Sequence, residues 1–313
     1  MIKLSDVAAK ANVSITTVSM ALSGKGRISS EMREKVMTAA DELGYIRKKR
    51  STTESSWGIL LPMGENWDAI WHFIRPIVDN IVLTAKNKDF SYCIIPVYPD
   101  QETGDIKSSI SKHKLTSIFS IHFGDPDLFE ILEQEGIPVV VINNSQFQEG
   151  YYSICVDDFQ GAYEGTRHLL EKNHRAISFL DYPRGMVPNI AYDRYFGFLK
   201  AMEEEGISLP KHWKITVDLN DTTEMKNQIG RVLENKDAPT AFFVHDDFMA
   251  NRLIHLLNTM GKSVPEDISI IAPGDTLNYI HPETPRISTM SINTGLMGKY
   301  AADMMLERAN GGY

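Results

Sequence analysis

The sequence of 313 residues predicts a small all-α head followed by a larger α/β body made of two Rossmann-like lobes with parallel sheets. Residues 1–46 contain short helical segments separated by breaks, with no strand-like run among them. From Trp57 onward, continuous apolar runs alternate with amphipathic segments, which is typical of parallel strands covered by helices on both faces. The alternation restarts after Asp157, so we expect two successive lobes.

The head is predicted to contain three helices, each starting at a serine that can cap it. Ser5, Ser14 and Ser29 stand at these starts, residues 12–13 form a tight turn between the first two helices, and Gly44 ends the third. Two helices joined by a tight turn form the geometry that places the second helix in the major groove of DNA. The pattern therefore indicates a helix-turn-helix.

The second helix of the head, residues 15–22, has two different faces. Its apolar side would pack on the first helix, whereas Ile15, Thr16 and Met20 face outward. Apolar side chains can contact thymine methyl groups and threonine can donate or accept, so these residues are candidates for reading bases. A three-helix interaction module with a solvated second helix is the alternative. Candidate phosphate contacts are Ser14, Thr17 and Ser19.

The charge of the chain is unevenly distributed. The whole sequence has a formal net charge of −9, yet residues 1–50 hold ten lysines and arginines against five acids, a net +5. The rest of the chain therefore carries −14. A basic head on an acidic body is typical of a polyanion-binding module joined to a domain that does not bind nucleic acid.

A polar stretch, residues 47–56, follows the head and is predicted to be a linker before the body at residues 57–313. Its basic run, Arg47, Lys48, Lys49 and Arg50, could lie along DNA phosphates or in a narrow minor groove. A charged linker that is merely solvated is the alternative.

The sequence excludes several other classes of protein. It has no apolar run long enough to span a membrane, and its first residues lack the apolar core and cleavage site of a secretory signal. Cys93 and Cys155 lie in strand-like runs and are expected to be free thiols in a reducing compartment. We therefore expect a cytoplasmic protein without a membrane partner.

An enzyme is the main rival interpretation. The triplet at residues 245–247, together with His72, His122 and His281, could form a metal or hydrolase cluster. The sequence has no HExxH, P-loop, GxSxG or strand-coupled GxGxxG motif that would support such chemistry. We expect no catalysis, no metal and no cofactor.

Two long segments of the head, DVAAKANVSITTVSMALSGKG and ISSEMREKVMTAADELGY, closely resemble the DNA-binding head of the LacI–GalR repressor family. The resemblance implies that Ile15, Thr16 and Met20 occupy the base-reading positions of the recognition helix. It also puts Ser23 and Arg27 at backbone-contacting or neighbouring positions.

The resemblance continues through the body. IPVVVIN, VDDFQGAYEGTRHLLEKNHRAISFL, TAFFVHDDFMA and GKSVPEDISIIAPGDT look like the family's effector domain, which is similar to periplasmic sugar-binding proteins. The resemblance implies a homodimeric transcription regulator of the repressor type that reads near-palindromic double-stranded operator DNA. A sugar or sugar derivative would bind between a first lobe of about 57–156 with 290–313 and a second of about 157–289.

The linker and the chain end depart from the family pattern. The linker has no proline, and it lacks the leucine with which relatives wedge open the minor groove, so we expect less bending of the operator. Relatives usually continue beyond Tyr313 to a last strand. Either the sequence is shortened here or the first lobe is completed differently.

The ligand pocket departs as well. Arg194 falls where the family has an effector-binding arginine, whereas Asp246 replaces the usual asparagine and Gly274 replaces the first acid of a Gly-Phe-Asp-Asp turn. One acid is lost and another gained, which favours a polar neutral or cationic ligand. Tryptophans 67 and 71 could stack on a sugar ring or could equally be core. The predicted effector-binding set is Trp67, Trp71, His122, Arg194, Asp246 and Asp275.

Overall fold

The computed structural model separates the chain into two compact units, residues 1–54 and 55–313. The described residues are 4–14, 17–18, 21, 29–43, 55–64, 67–183, 188–218, 220–277 and 284–309. Across these ranges, no helix has both the length and the apolar character needed to cross a bilayer.

In the first unit, helices α1 (Leu4–Ala11) and α2 (Ser30–Glu42) flank a further helical stretch that includes residues 17, 18 and 21. These segments share a small core of short apolar side chains, which suits helices that pack closely. The buried residues of this core are Val7, Ala8, Ala11, Val18, Ala21, Val36, Ala39 and Ala40.

Two of the three predicted helix caps are formed in the first unit. The Ser14 hydroxyl accepts a hydrogen bond from the backbone N–H of Thr17 at 3.0 Å, and that of Ser29 accepts from Met32 at 3.2 Å. These are the contacts of an N-cap, which satisfy amide donors that the helix itself leaves open. Ser5 instead lies inside α1, so the first helix starts earlier than the sequence predicts.

Lobe one holds a sheet of five parallel strands in the order β2-β1-β3-β4-β5. A 3₁₀ turn, Ser145–Phe147, lies between β4 and β5. The elements are β1 (Ser56–Pro62), α3 (Trp67–Asn87), β2 (Ser91–Val97), α4 (Thr103–Lys112), β3 (Ser117–Ile121), α5 (Pro126–Gln134), β4 (Val139–Ile142) and β5 (Tyr152–Ile154).

Lobe two repeats this arrangement, with five parallel strands in the order β7-β6-β8-β9-β10. Its elements are α6 (Asp158–Glu171), β6 (Ile177–Asp181), α7 (Pro188–Glu204), β7 (Lys214–Thr216), α8 (Thr222–Leu233), β8 (Ala241–Val244), α9 (Asp247–Thr259), β9 (Ser269–Gly274) and β10 (Ser288–Ser291). The predicted α/β class with two parallel sheets is confirmed.

Helix α10 (Thr294–Ala309) follows lobe two in the chain but packs on lobe one. Its side chains Met297, Ala301 and Met305 are buried in the same core as Trp57 and Phe119. The chain therefore passes between the lobes twice, once after β5 and once after β10.

Both sheets have the strand order 2-1-3-4-5 when each lobe is counted from its own first strand. In open parallel sheets, ligands bind at the carboxyl ends of the strands, where the strand order reverses direction. In lobe one that position lies between β1 and β3, and in lobe two between β6 and β8. The polar residues at these strand ends are therefore candidates for a ligand site.

Candidate functional site

A cavity of about 410 Å³ lies between the two lobes, within the size range of small-molecule sites. Lobe one contributes Phe73 from α3, His122 after β3 and Asn143 after β4. Lobe two contributes the ends of β6, β8 and β9 and the first two turns of α7. The cavity is thus at the strand ends that the topology singles out.

A buried ion pair forms part of the lobe-two wall of the cavity. The Arg194 Nε and Nη2 atoms lie 2.8 Å and 2.7 Å from Oδ1 of Asp158, and both side chains are almost fully buried. The Nη1 atom donates to the backbone carbonyl of His245 at 2.5 Å. The guanidinium therefore joins α6, α7 and the end of β8, and its charge is balanced by Asp158.

A second buried pair lies where the strand order of lobe two changes direction, between β6 and β8. Asp181 ends β6 and His245 follows β8, and the His245 Nδ1 atom lies 2.8 Å from Oδ1 of Asp181. The same oxygen accepts a hydrogen bond from the backbone N–H of Tyr182 at 2.8 Å. The Tyr182 ring packs edge-on against the His245 ring, with centroids 4.9 Å apart.

Asp246 has two partners inside lobe two although it also lines the cavity. Its Oδ1 accepts from the backbone N–H of Met249 at 2.7 Å, which makes it the N-cap of α9. Its Oδ2 accepts from the Tyr182 hydroxyl at 2.9 Å. Burial, and then the Asp246 carboxylate, raise the pKa of Tyr182 well above its usual range, so the hydroxyl stays a donor.

The neighbouring Asp247 explains the glycine at position 274. The buried Asp247 carboxylate accepts from the backbone N–H groups of Thr276 at 2.5 Å and Leu277 at 3.2 Å. A Cβ atom on Gly274 would lie 2.5 Å from the Asp247 Cγ, and the Gly274 φ of +142° disfavours side chains as well. Burial raises the pKa of Asp247, although its hydrogen bonds from Thr276 oppose the rise.

On the lobe-one wall, His122 is the one polar side chain whose ring nitrogens are both buried without a hydrogen-bond partner among the described residues. It has a left-handed backbone, with φ of +59°, and its ring packs edge-on to Phe73 at 5.3 Å. Burial, assisted by the Arg194 charge, lowers the pKa of His122 to about 4. The imidazole is therefore neutral at pH 7, with one donor and one acceptor.

The structure brings three of the six predicted effector residues to the cavity, namely His122, Arg194 and Asp246. Asp275 lies beside the cavity, where its carboxylate accepts from the Ser291 hydroxyl at 3.2 Å. Trp71 packs against the lobe-one core. Trp67 begins α3, and its side chain lies outside the described residues.

Sequence reasoning missed the residues that hold these groups in place. Asp181 and Tyr182 could have been found, because they end a strand that the sequence predicts. Asp158 gave no such signal, since it lies 36 residues before its partner Arg194 at the start of a helix. Asn143 resembles an ordinary loop residue in the sequence.

Of the predicted DNA contacts in the first unit, Ser14 and Thr17 are described. Their hydroxyl oxygens lie 2.8 Å apart, and the Ser14 oxygen also caps the helix. A helix N-terminus of this kind is suited to a phosphate oxygen. The predicted contacts outside the described residues are Ile15, Thr16, Ser19, Met20, Ser23, Arg27, Arg47, Lys48, Lys49 and Arg50.

The chain thus contains a small helical unit followed in the sequence by a two-lobed domain that has a polar cavity between its lobes. Solved structures share this fold at low sequence identity. The CelR–cellobiose complex is 22% identical with a TM-score of 0.67, covering 100% of this chain and 94% of CelR. The lac repressor dimer bound to operator and the anti-inducer ONPF is 22% identical with a TM-score of 0.69, covering 99% and 93%.

Sequence comparison identifies both domains. Residues 3–48 match the model for bacterial regulatory proteins of the lacI family, and residues 166–312 match the periplasmic binding protein-like domain. The HTH-type transcriptional repressor PurR of Klebsiella pneumoniae (strain 342) is 27% identical over 317 residues, covering 98% of this chain and 90% of PurR. The chain thus combines a DNA-binding domain of the lacI family with a periplasmic binding protein-like domain, and it is homologous to the transcriptional repressor PurR.

Proposed function

We propose that this protein represses transcription from a near-palindromic operator as a homodimer, and that a small polar molecule in the cavity between the lobes controls its affinity for DNA. The observation that carries the proposal is the pair of buried, unpartnered ring nitrogens of His122 at the cavity wall. Leaving such groups without a hydrogen bond costs free energy, which a ligand that bonds to them would recover.

The chemistry of the wall supports a sugar or a sugar derivative. A neutral imidazole offers one donor and one acceptor, and a hydroxyl group can satisfy either. Aromatic and aliphatic side chains, including Phe73 and Tyr195, supply apolar area beside these polar groups. Among the solved structures of similar fold, one from Enterococcus faecium holds ribose; it is 23% identical with a TM-score of 0.67 and covers 82% of this chain and 91% of its own.

The charges of the wall favour a neutral or cationic ligand over an anionic one. The Arg194 guanidinium is already paired with Asp158, so a ligand carboxylate or phosphate would have to compete with that carboxylate. Three further carboxylates, Asp181, Asp246 and Asp247, line the cavity on the same side, against one further cation among the described residues, Lys214. These carboxylates have structural partners, and we propose a binding protein without catalytic activity.

On the DNA side, we propose that Ile15, Thr16 and Met20 read bases while Ser14, Thr17 and Ser19 contact phosphates. The net charge of +5 over residues 1–50 supports this division, because phosphate contacts need positive charge nearby. Binding to an operator selected from a randomised duplex pool should weaken steeply as salt is raised. A failure to enrich any palindromic sequence would refute this part of the proposal.

A thermal-shift screen of neutral sugars, amino sugars and sugar phosphates on the full chain would identify the effector. A ligand present at 100 times its Kd stabilises the folded protein by about 2.7 kcal/mol. We expect the His122→Ala variant to lose most of the thermal shift that the ligand causes. The control is His113→Ala, which replaces an exposed histidine at the end of α4 and should keep the shift. A ligand that shifts the His122→Ala variant as strongly as the wild type would contradict the assignment of the site.

A further inference from the structure

The first two turns of α7 carry three rows of residues with different surroundings. Ile190 and Arg194 face the cavity, whereas Tyr192 and Phe196 are about half exposed, with Tyr192 also at the cavity wall. Asn189 and Asp193 form a third row, which contacts lobe one. Residues four apart share one face of a helix, so each row moves as a unit with α7.

The third row is bound to lobe one by three side-chain hydrogen bonds. Gln146 Nε2 donates to Asn189 Oδ1 at 2.8 Å, Asn189 Nδ2 donates to Asn144 Oδ1 at 3.4 Å, and Ser145 Oγ donates to Asp193 Oδ2 at 3.3 Å. We call these five residues the interlobe latch. They join lobe two to the 3₁₀ turn between β4 and β5.

Both ends of the latch are firmly attached to their own lobes. On lobe one, Phe147 of the same 3₁₀ turn is buried in the core, where it packs edge-on against Phe129 at 5.2 Å. On lobe two, α7 is anchored through Phe198 and through the Arg194–Asp158 pair. A change in the angle between the lobes therefore strains the latch before it deforms either core.

We propose that Gln146 and Asn189 are positioning residues for effector binding, which hold the lobes in the arrangement where Arg194 and Ile190 face the lobe-one wall. Neither residue lines the cavity, so they act through α7 and not on the ligand. The inference rests on the proposed function, since the lobe arrangement has a role only if a ligand binds between the lobes. Two short crossings, at residues 155–157 and 292–293, are where the lobes can hinge.

The test measures the distance between the lobes in the full chain without any ligand. Nitroxide labels on Lys112→Cys of α4 and Lys226→Cys of α8, in a background with Cys93→Ala and Cys155→Ala, report the distance by pulsed electron spin resonance. Gln146→Asn shortens one side of the amide pair, and Asn189→Gln lengthens the other. Each single variant should raise the population of longer distances roughly three- to ten-fold, the effect of losing one hydrogen bond.

The double variant Gln146→Asn with Asn189→Gln restores the combined length of the two side chains and should recover the wild-type distances. A matched control is Gln160→Asn, which removes an amide contact to Glu164 within α6 and should leave the distances unchanged. Single variants with wild-type distances, or a double variant that is not rescued, would overturn the latch. Because no ligand is added, a failed effector screen would refute the proposed function without changing this result.

Discussion

The two lobes have the same strand order but present different chemistry at their carboxyl edges. In lobe two, Asp181, Arg194, Asp246 and Asp247 all have partners within the lobe. In lobe one, His122 faces the cavity with ring nitrogens that have no partner among the described residues. The difference indicates that lobe two is organised before a ligand arrives, whereas lobe one leaves a donor and an acceptor open, as the role proposed for His122 requires.

Solvation physics explains why the division falls this way. A buried charge without a partner is far more costly than a buried neutral group, so the ionised side chains of lobe two need fixed partners. A neutral imidazole without hydrogen bonds costs only about 1–3 kcal/mol per unsatisfied group. Among the described residues, lobe one has no buried charged side chain, so an open polar group costs less there than in lobe two.

The largest expected effect comes from breaking the buried ion pair of lobe two. Arg194→Ala leaves the Asp158 carboxylate buried and unpaired, so we expect the effector-binding unit to lose about 3–5 kcal/mol of unfolding free energy, measured by urea denaturation. The double variant with Asp158→Leu should recover part of that loss, because the unpaired charge is gone. If the double variant is less stable than the sum of the single losses predicts, the pair is not the source of the cost.

The unpartnered His122 of lobe one should make the stability of the protein depend on pH. The pKa of His122 falls from 6.5 to about 4 on folding, so the unfolded state binds a proton more readily than the folded state. Titration of His122 therefore leaves the unfolding free energy unchanged above pH 6.5 and lowers it as pH falls towards 4. The loss amounts to about 3 kcal/mol at about 1.4 kcal/mol per pKa unit.

His122→Asn isolates this contribution, because asparagine tolerates the left-handed backbone at this position. Urea denaturation of the variant should show a shallower loss of stability between pH 6.5 and pH 4 than the wild type. The variant His113→Asn serves as the control and should keep the wild-type slope. Equal slopes for all three proteins would show that His122 titrates normally in the folded state.

Gly274 tests how tightly lobe two is packed around Asp247. Gly274→Ala would put a Cβ 2.5 Å from the Asp247 Cγ at a φ of +142°, and we expect a loss of about 1–3 kcal/mol in unfolding free energy. Gly161→Ala is the matched control, since nothing lies within 4 Å of its Cβ and helix α6 favours alanine. A Gly274→Ala variant as stable as the control would mean that the Asp247 carboxylate moves aside at little cost.

Most of the fold could be predicted from the sequence because buried parallel strands are continuous apolar runs. The runs before Pro62 and Ile142 show this directly. Strand β5 could not be predicted, since Tyr152–Ile154 is only three residues long and half-buried, and it exists through its pairing with β4. Short edge strands depend on their neighbour more than on their own sequence.

The candidate site was less predictable for a different reason. The family resemblance pointed to Arg194 and Asp246, but the partners that fix their roles, Asp158 and Tyr182, are 36 and 64 residues away in the sequence. Tertiary hydrogen bonds of this kind leave no periodic pattern. The sequence therefore located the strand ends of the cavity without revealing which polar groups were already occupied.

The smallest expected effect, and the finest test of the comparison, is Asp246→Asn. Asparagine has one side-chain oxygen where aspartate has two, so it cannot offer Met249 and Tyr182 a separate acceptor oxygen each, as the carboxylate does. Asparagine is a good N-cap, so we expect a loss of only about 1 kcal/mol in unfolding free energy. If the carboxylate also attracts the ligand, calorimetric titration should show weaker binding of amino sugars and unchanged or stronger binding of neutral sugars. If the ligand profile is unchanged while stability falls, Asp246 belongs wholly to the organised side of the cavity, and the charge preference of the site must come from elsewhere.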